Sequence, residues 1–141
     1  MLRSVDMQDY MLSNPAKIKA DTDIFEAIHQ ILIYKVSGLC VVDDNEILIG
    51  VLSEMDCLRA ILSAVYNDTP AVGVASEFMT KEVISVALHD NIVDVANDML
   101  KHKHRRRPVI DQRGRLVGQV TCRQLLRGVK EFVSPEDPSE H

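Results

Sequence analysis

The feature that most constrains this chain is an internal repeat: a shift of 68 residues aligns its first half with its second half without a gap. The aligned stretch begins where Met11 meets Met79 and ends where Leu58 meets Leu126. Between these ends the matched pairs are Ile18 and Val86, Ile24 and Ile92, Glu26 and Asp94, Leu32 and Leu100, Val41 and Val109, Asp43 and Asp111, Leu48 and Leu116, Gly50 and Gly118, and Ser53 and Thr121. The chain is therefore a tandem duplication, and we expect each copy to form the same structural unit.

Each copy predicts a first strand followed by a helix. A short extended stretch comes first, at 16–20 and at 83–86. The helix begins after Asp23 in one copy and after Asn91 in the other, because both are favoured N-cap residues, and an acidic residue three positions later fits a capping box. Apolar residues then recur at helical spacing, at Ile24, Ile28, Ile31 and Leu32 and at Ile92, Ala96, Met99 and Leu100.

Two further strands and a second helix complete each copy, giving the order β-α-β-β-α. The strands are predicted at 39–42 and 47–52, and at 108–110 and 116–120, with turn-forming residues between them. The second helix begins after Ser53 or Thr121, and its apolar stripe comprises Leu58, Ile61, Leu62 and Val65, or Leu125, Leu126 and Val129. Because one such unit cannot cover both faces of a three-stranded sheet, we expect the two to pack sheet to sheet with pseudo-two-fold symmetry, as an α+β fold.

Composition and charge exclude several classes of protein. The 141 residues are 46% hydrophobic and 26% charged, which is ordinary for a globular domain. A net charge of −5 argues against general binding of nucleic acid. No apolar run approaches the roughly 20 residues of a membrane span, and the N-terminus lacks the apolar core of a signal peptide. Three irregularly spaced cysteines, Cys40, Cys57 and Cys122, suit a reducing compartment, so we expect a cytoplasmic protein.

The repeated motifs carry a family resemblance. The first copy contains EAI at 26–28, VSGLCVVD at 36–43 and GVLSEMD at 50–56, and the second contains VANDM at 95–99, RPVID at 107–111 and GQVTCRQ at 118–124. Two such series in order resemble a stand-alone pair of CBS motifs, the Bateman module. The resemblance implies a module that binds adenosine-containing ligands (AMP, ADP, ATP or S-adenosylmethionine) in clefts between its motifs, regulates another protein and forms homodimers.

The resemblance, together with residues that end helices and form turns, also predicts domain boundaries. Residues 1–131 are expected to form one Bateman module, with an N-terminal extension at 1–7. The predicted segments that follow are CBS motif 1 at 8–66, a linker at 67–75, CBS motif 2 at 76–131 and a disordered acidic tail at 132–141. The sequence Asn67-Asp68-Thr69-Pro70 ends a helix and opens the linker.

A hydroxyl residue followed three positions later by a polar residue occurs where a strand turns into a helix. The pairs are Ser53 with Asp56 and Thr121 with Gln124. From spacing alone these are capping boxes, which satisfy free backbone N–H groups at a helix start. The resemblance implies a second role, since the Ser/Thr-x-x-Asp of this family holds ribose. Gln124 departs from that pattern, because its amide has no charge and a single acceptor oxygen.

A basic run, KHKHRRR at 101–107, stands out in an otherwise acidic chain. The simplest interpretation is a solvated helix end whose cations complement the helix dipole. Aromatic residues are only 4% of the chain and none interrupts the run, so a platform for stacking nucleic-acid bases is missing. We expect no metal site here, since cations beside His102 and His104 would repel an ion. The resemblance implies that Arg105 and Arg106 contact ligand phosphates, to which the guanidinium fork is suited.

The resemblance implies two unequal clefts, each taking ribose and phosphate contacts from one copy and base contacts from the other. One combines Thr121, Gln124, Arg105 and Arg106 with a base pocket at Ala16, Val36 and Gly38. The other combines Ser53 and Asp56 with Ile84, His104 and Arg106. The first has cations but lacks the ribose carboxylate, whereas the second has that carboxylate but no matching cations. We therefore expect a phosphate-bearing ligand in the arginine-lined cleft and an adenosine moiety in the other.

These observations favour a regulatory, ligand-sensing module over an enzyme. No Gly-rich phosphate loop and no nucleophile with its base is present, so we expect no catalysis, no required cofactor and no metal. The alternative is a structural or partner-binding dimerisation module with degenerate ligand sites, which Gln124 favours. Binding of nucleic acid through the basic run is a third interpretation, and it predicts a steep dependence of affinity on salt. The regulated protein is not identified by the sequence, and no membrane association is expected.

Overall fold

The computed structural model describes residues 4–132, which form two compact units. The first-repeat unit comprises residues 15–83 and 113–116, and the second-repeat unit comprises 4–14, 84–112 and 117–132. The elements are a 3-10 turn at Met7–Asp9, β1 Leu12–Ser13, β2 Lys17–Lys19, α1 Ile24–Tyr34, β3 Gly38–Val42, β4 Leu48–Ser53, α2 Glu54–Tyr66, α3 Ala75–Phe78, β5 Val86–Ala87, α4 Ile92–His102, β6 Arg106–Ile110, β7 Leu116–Thr121 and α5 Cys122–Phe132. The acidic tail predicted for 132–141 lies, apart from its first residue, outside the described residues.

The structure confirms the duplication and the mixed α+β class. The helices α1 and α4, the strands β3 and β6, and the strands β4 and β7 each begin and end 68 residues apart. Even the helix ends repeat, since Lys35 after α1 and Lys103 after α4 both adopt the left-handed conformation, with φ of 55° and 58°. Identical element bounds at one offset show that both copies encode the same local structure.

The predicted helix starts are confirmed, with one difference in the hydrogen bonds. Asp23 caps α1 and Asn91 caps α4, each accepting a bond from the backbone N–H of the second helical residue, Phe25 at 2.9 Å and Val93 at 2.8 Å. The complete capping box, in which the side chain of the third helical residue also accepts from the N-cap N–H, is found instead at Ser53, where α2 begins. A short polar side chain at the N-cap satisfies a donor that the helix itself cannot.

In the first-repeat unit a three-stranded sheet packs against α1 and α2. Strand β2 pairs with β3 in parallel, and β3 pairs with β4 antiparallel. The core is a continuous apolar cluster of Ile18, Ile24, Ala27, Ile31, Leu39, Val41, Leu52, Cys57, Ala60 and Ala75. Burial of these side chains is the main favourable contribution to the stability of the unit.

In the second-repeat unit the N-terminal segment contributes to the sheet and to the core. The strand order is β1-β7-β6-β5, with β1 antiparallel to β7 and β5 parallel to β6. Met7 is fully buried and Tyr10 is 3% exposed, both within the cluster that contains Val86, Ile92, Val95, Met99, Val109 and Val120. The backbone N–H of Met7 donates to the carbonyl of Asp90 at 2.9 Å. Residues near the start of the chain thus complete a core made of the second repeat.

Some elements differ from the sequence predictions. The stretch predicted at 83–86 forms its strand only at Val86–Ala87, and the short elements Leu12–Ser13 and Ala75–Phe78 carry no periodic pattern that predicts them. The apolar stripe predicted for α2 faces away from the core: Leu58, Leu62 and Val65 are 61%, 48% and 68% exposed. The residues that α2 buries are instead Asp56, Cys57 and Ala60. Within residues 4–132, no helix has both the length and the apolar character needed to cross a bilayer.

Candidate functional site

In the first-repeat unit, the start of β3 meets the start of α2. Gly38 lies opposite Ser53 in the antiparallel register, and the backbone N–H of Glu54 donates to the carbonyl of Ser37 at 2.9 Å. A Cβ atom at Gly38 would stand 3.1 Å from the carbonyl oxygen of Leu52, so the close approach favours glycine. Ala16 and Val36 are half-buried against the core of the same unit. We call Ala16, Val36, Gly38, Ser53 and Asp56 the first half-site.

Asp56 is buried and already has two partners within its own helix start. The Ser53 hydroxyl accepts from the Asp56 N–H at 3.1 Å, while Asp56 Oδ2 accepts from the Ser53 N–H at 2.9 Å. The other oxygen, Oδ1, accepts from Arg59 at 2.9 Å, and only 6% of the Asp56 side chain is exposed. The capping role that the spacing predicts is therefore confirmed. A carboxylate offers about four lone-pair sites, so two further hydrogen bonds are chemically available.

In the second-repeat unit, the equivalent positions repeat this arrangement with different chemistry. The backbone N–H of Cys122 donates to the carbonyl of Arg105 at 2.9 Å, and Thr121 Oγ1 accepts from the Gln124 N–H at 3.0 Å. Arg105 is exposed and Arg106 is half-buried. Ile84, His104, Arg105, Arg106, Thr121 and Gln124 form what we call the second half-site. The start of α5 is thus bonded to the backbone of a segment that carries two consecutive arginines, residues whose guanidinium groups suit an anion.

A second polar cluster contacts His104 through Arg107. Arg107, whose side chain is 3% exposed, donates from Nη1 to Asp98 Oδ2 at 2.6 Å and from Nε to His104 Nδ1 at 3.3 Å. The Arg107 hydrogen bond is the largest cause that holds the pKa of Asp98 below its usual range, and the positive charges of Arg107, His102 and Lys101 add to it. Arg107 is not among the site residues predicted from the sequence. Arg107 aligns with the apolar Leu39 at the offset of 68, and this alignment could have predicted from the sequence that the arginine faces inward.

Other reactive side chains do not form a centre. Burial raises the pKa of the Cys57 thiol, with Asp56 and Glu54 acting in the same direction, which disfavours the thiolate. Among the residues that the structure describes, no three His, Cys, Asp or Glu side chains are grouped to hold a metal ion. The arrangement can therefore bind through hydroxyl, carboxylate and guanidinium groups, but its described residues present no activated nucleophile.

Ten of the eleven predicted site residues thus fall into two equivalent sets, one in each unit, and the eleventh, Arg105, corresponds to Ser37. Ala16, Val36, Gly38, Ser53 and Asp56 correspond, at the offset of 68, to Ile84, His104, Arg106, Thr121 and Gln124. In each set the hydroxyl residue stands where a strand meets a helix start, whereas Ala16 and Ile84 lie just before β2 and β5. A repeated β-α-β-β-α unit with such a junction is the defining structure of one class of protein.

The family model described as the CBS domain matches this chain twice, at residues 7–63 and 74–131, and the chain belongs to the CBS domain family. Among curated proteins it is 35% identical to inosine-5'-monophosphate dehydrogenase of Aquifex aeolicus, over 85% of this chain and 24% of that protein. It is 31% identical to the CBS domain-containing protein CBSX2, chloroplastic, of Arabidopsis thaliana, over 82% of this chain and 58% of that protein. The chain thus spans less than two-thirds of either relative.

Solved structures of CBS pairs have the same fold. The structure of CBSX2 in complex with AMP matches with a TM-score of 0.82 and 29% identity, covering 93% of this chain and all of that one. The CBS domain pair of protein MJ0100, in complex with 5'-methylthioadenosine and S-adenosyl-L-methionine, matches with a TM-score of 0.70 and 24% identity. It covers 86% of this chain and 97% of that one. These similarities establish that the chain folds as a CBS pair.

Proposed function

We propose that this protein is a regulatory module that senses an adenosine-containing ligand. The observation that carries the proposal is the second half-site, where Arg105 and Arg106 adjoin Thr121 and the first turn of α5 in a chain of net charge −5. The AMP complex of CBSX2 supports the ligand class. We further propose that phosphate lies against the two arginines, with Thr121 and Gln124 toward the ribose and Ala16, Val36 and Gly38 toward the base.

The first half-site has a different balance of groups. Asp56 offers a carboxylate for ribose hydroxyls, but Ser37 and Gly38 occupy the positions that Arg105 and Arg106 hold in the second repeat. We propose that an adenosine moiety with less charge binds here, with Ile84, His104 and Arg106 on its base side. A ligand changes the state of such a module only to the extent that it binds two arrangements of it with different affinity. In this proposal the module regulates rather than catalyses, and it needs no cofactor.

Calorimetric titration with AMP, ADP, ATP and S-adenosylmethionine tests the ligand class. We expect one of the four to bind, and Arg106→Ala to weaken a phosphate-bearing ligand about tenfold or more, as loss of a charge-assisted hydrogen bond implies. Lys130→Ala is the matched control, because it removes the same charge from an exposed position near the end of α5. The protein must first be shown to be free of nucleotide carried over from the cells.

The outcomes of this titration separate the two candidate functions. Equal affinity in wild type, Arg106→Ala and Lys130→Ala would remove Arg106 from the site. Absence of binding by all four ligands would favour the alternative function, a structural or partner-binding module with degenerate sites. The engagement of Asp56 by Ser53 and Arg59 is the observation that favours this alternative.

We also propose that the protein forms a homodimer through α1 and α2. Within residues 4–130, these helices carry most of the exposed large apolar side chains: Phe25, Leu32, Ile33, Tyr34, Met55, Leu58, Leu62, Val65 and Tyr66. A groove of about 200 Å³ between them is lined by Ile28, Ile31, Leu32, Glu54, Cys57, Leu58 and Ile61. A contiguous apolar surface of this kind is typical of an interface, and a second copy meets it symmetrically. The odd number of cysteines supports the further proposal that the protein works in the cytoplasm.

Replacing Leu58 by glutamate tests the dimer. We expect the variant to sediment as a monomer at micromolar concentration where the wild type sediments as a dimer, because a buried unpaired carboxylate opposes association. Leu58 is 61% exposed, so the substitution leaves the core of the unit intact. Val5→Glu, at an apolar residue 41% exposed and outside the helices, is the control. A monomeric wild type, or a dimeric Leu58→Glu variant, would contradict this interface.

A further inference from the structure

The second-repeat unit buries a charge at a position where the first repeat buries a hydrocarbon. Arg107 in β6 corresponds to Leu39 in β3, and the two residues are 2% and 1% exposed. Because the same fold accommodates leucine in the first repeat, an arginine is not required for this strand to form. The reason for the arginine must lie in what its guanidinium touches.

The contacts of Arg107 do not explain it as a stabilising residue. Nη1 is paired with Asp98, a carboxylate that is 44% exposed, and Nε donates to His104 Nδ1. The remaining terminal nitrogen, Nη2, is buried without a hydrogen-bond acceptor among residues 4–132. A buried cation with one unsatisfied donor is often less favourable than a well-packed apolar residue. The arrangement therefore points to a role other than stability.

The bond to His104 fixes the chemistry of that ring. A guanidinium has no lone pair to offer, so Nδ1 must be the acceptor, and the neutral ring then carries its proton on Nε2. The ring is also placed by its surroundings: the ring of His102 lies 5.4 Å away, and the backbone N–H of His104 donates to the carbonyl of Met99 at 2.9 Å. His102 is itself anchored, since its Nδ1–H donates to the carbonyl of Asp98 at 2.9 Å.

We propose that Arg107 is a positioning residue that holds His104 with Nε2–H as its only free ring donor, for an acceptor atom on the base of the bound ligand. The inference rests on the proposed function, in which His104 lies on the base side of one ligand. Asp98 forms an ion pair with the Arg107 guanidinium and neutralises its charge. The ligand specified in this way is a base with a hydrogen-bond acceptor at the edge that His104 meets.

A double-mutant cycle on ligand affinity tests this proposal. With adenosine as the probe, because His104 lies on the base side of the cleft proposed for the less charged ligand, we expect Arg107→Leu to weaken binding about fivefold to tenfold, the effect of one lost hydrogen bond. In a His104→Ala background the same substitution should have no further effect, because Arg107 acts through His104. The midpoint of thermal unfolding should be unchanged or raised, as Leu39 implies. Lys130→Gln controls for the lost charge at an exposed position.

A second measurement needs no ligand. In the NMR spectrum of the 15N-labelled protein, the Nε–H of Arg107 should show a scalar coupling across the hydrogen bond to His104 Nδ1. Equal losses of affinity on Arg107→Leu in the wild-type and His104→Ala backgrounds, or no loss in either, would overturn the proposal. If the wild type does not bind adenosine, the ligand proposed for that cleft fails by itself, and the absence of the coupling would separately overturn the positioning of His104.

Discussion

Replacing Gly128 by alanine is expected to destabilise the second-repeat unit, although alanine is the better helix former. Gly128 lies within α5, and a Cβ atom there would overlap Cδ1 of Tyr10 and stand 2.5 Å from Cε1 of the same ring. Tyr10 is 3% exposed, and its hydroxyl donates to the carbonyl of Ser4 at 2.7 Å, so the ring has little freedom to move. Overpacking costs about 1–3 kcal/mol, and contacts this short belong at the upper end of that range. Helix propensity returns about 1 kcal/mol, so we expect a net loss of about 2 kcal/mol.

The sign of the effect should reverse when the ring is removed. Tyr10→Ala alone is expected to cost about 3 kcal/mol or more, because it leaves a large cavity in the core. In that background Gly128→Ala should stabilise the protein by about 1 kcal/mol, since only the gain in helix propensity remains. The free energy of unfolding in urea, measured for the four members of the cycle, gives the coupling between the two sites.

The first repeat provides the matched control for this cycle. Ala60 is the residue that corresponds to Gly128. It is fully buried, so the core of the first repeat accommodates a methyl group at this position. Ala60→Gly should therefore lose stability, the opposite direction to Gly128→Ala in the Tyr10→Ala background. A Gly128→Ala protein as stable as wild type would show that Tyr10 does not pack against α5 in solution.

Local structure in this chain was predictable because each repeat carries its own helix-capping and turn-forming residues. The helix starts at Asp23 and Asn91 and the turn into α2 at Ser53 follow from residues within a few positions of each element. The role of Met7 did not follow, because its partner in the backbone, Asp90, is far along the chain and no local pattern links the two. Periodicity identifies an apolar face but does not state what will cover that face.

The exposed stripe of α2 and the buried Arg107 illustrate the same limit on prediction. Leu58 fits helical spacing as well as any core residue, yet the helix buries Cys57 and Ala60 instead. The smaller residues therefore face the core, and the larger ones lie outside it. Arg107 sits within a run whose charge suggests a solvated end, whereas its alignment with Leu39 shows the face it occupies. In a duplicated chain, comparison between the copies is thus more informative than composition at a single position.

Asp56 should show two separable effects, one on stability and one on ligand affinity. Asp56→Ala removes the acceptor of the Ser53 N–H at a buried helix start, and an unsatisfied buried donor costs about 1–3 kcal/mol. Asp56→Asn keeps an oxygen acceptor and loses only the charge near the helix N-terminus, so we expect it to cost about 0.3–1 kcal/mol. Urea denaturation of the two variants measures this order, and equal stability of Asp56→Ala and wild type would contradict the capping box.

Ligand affinity should not follow the same order if the carboxylate also holds ribose. Both Asp56 variants are then expected to weaken an adenosine ligand at the first half-site by similar factors, because an amide supplies one acceptor oxygen where the carboxylate supplies two. The converse substitution, Gln124→Asp, should stabilise the start of α5 by about 0.3–1 kcal/mol and strengthen ligand binding at the second half-site. If affinity and stability change in parallel across all three variants, the Ser/Thr-x-x-Asp pattern acts in this protein as a helix cap alone, and the ribose contact belongs to other residues.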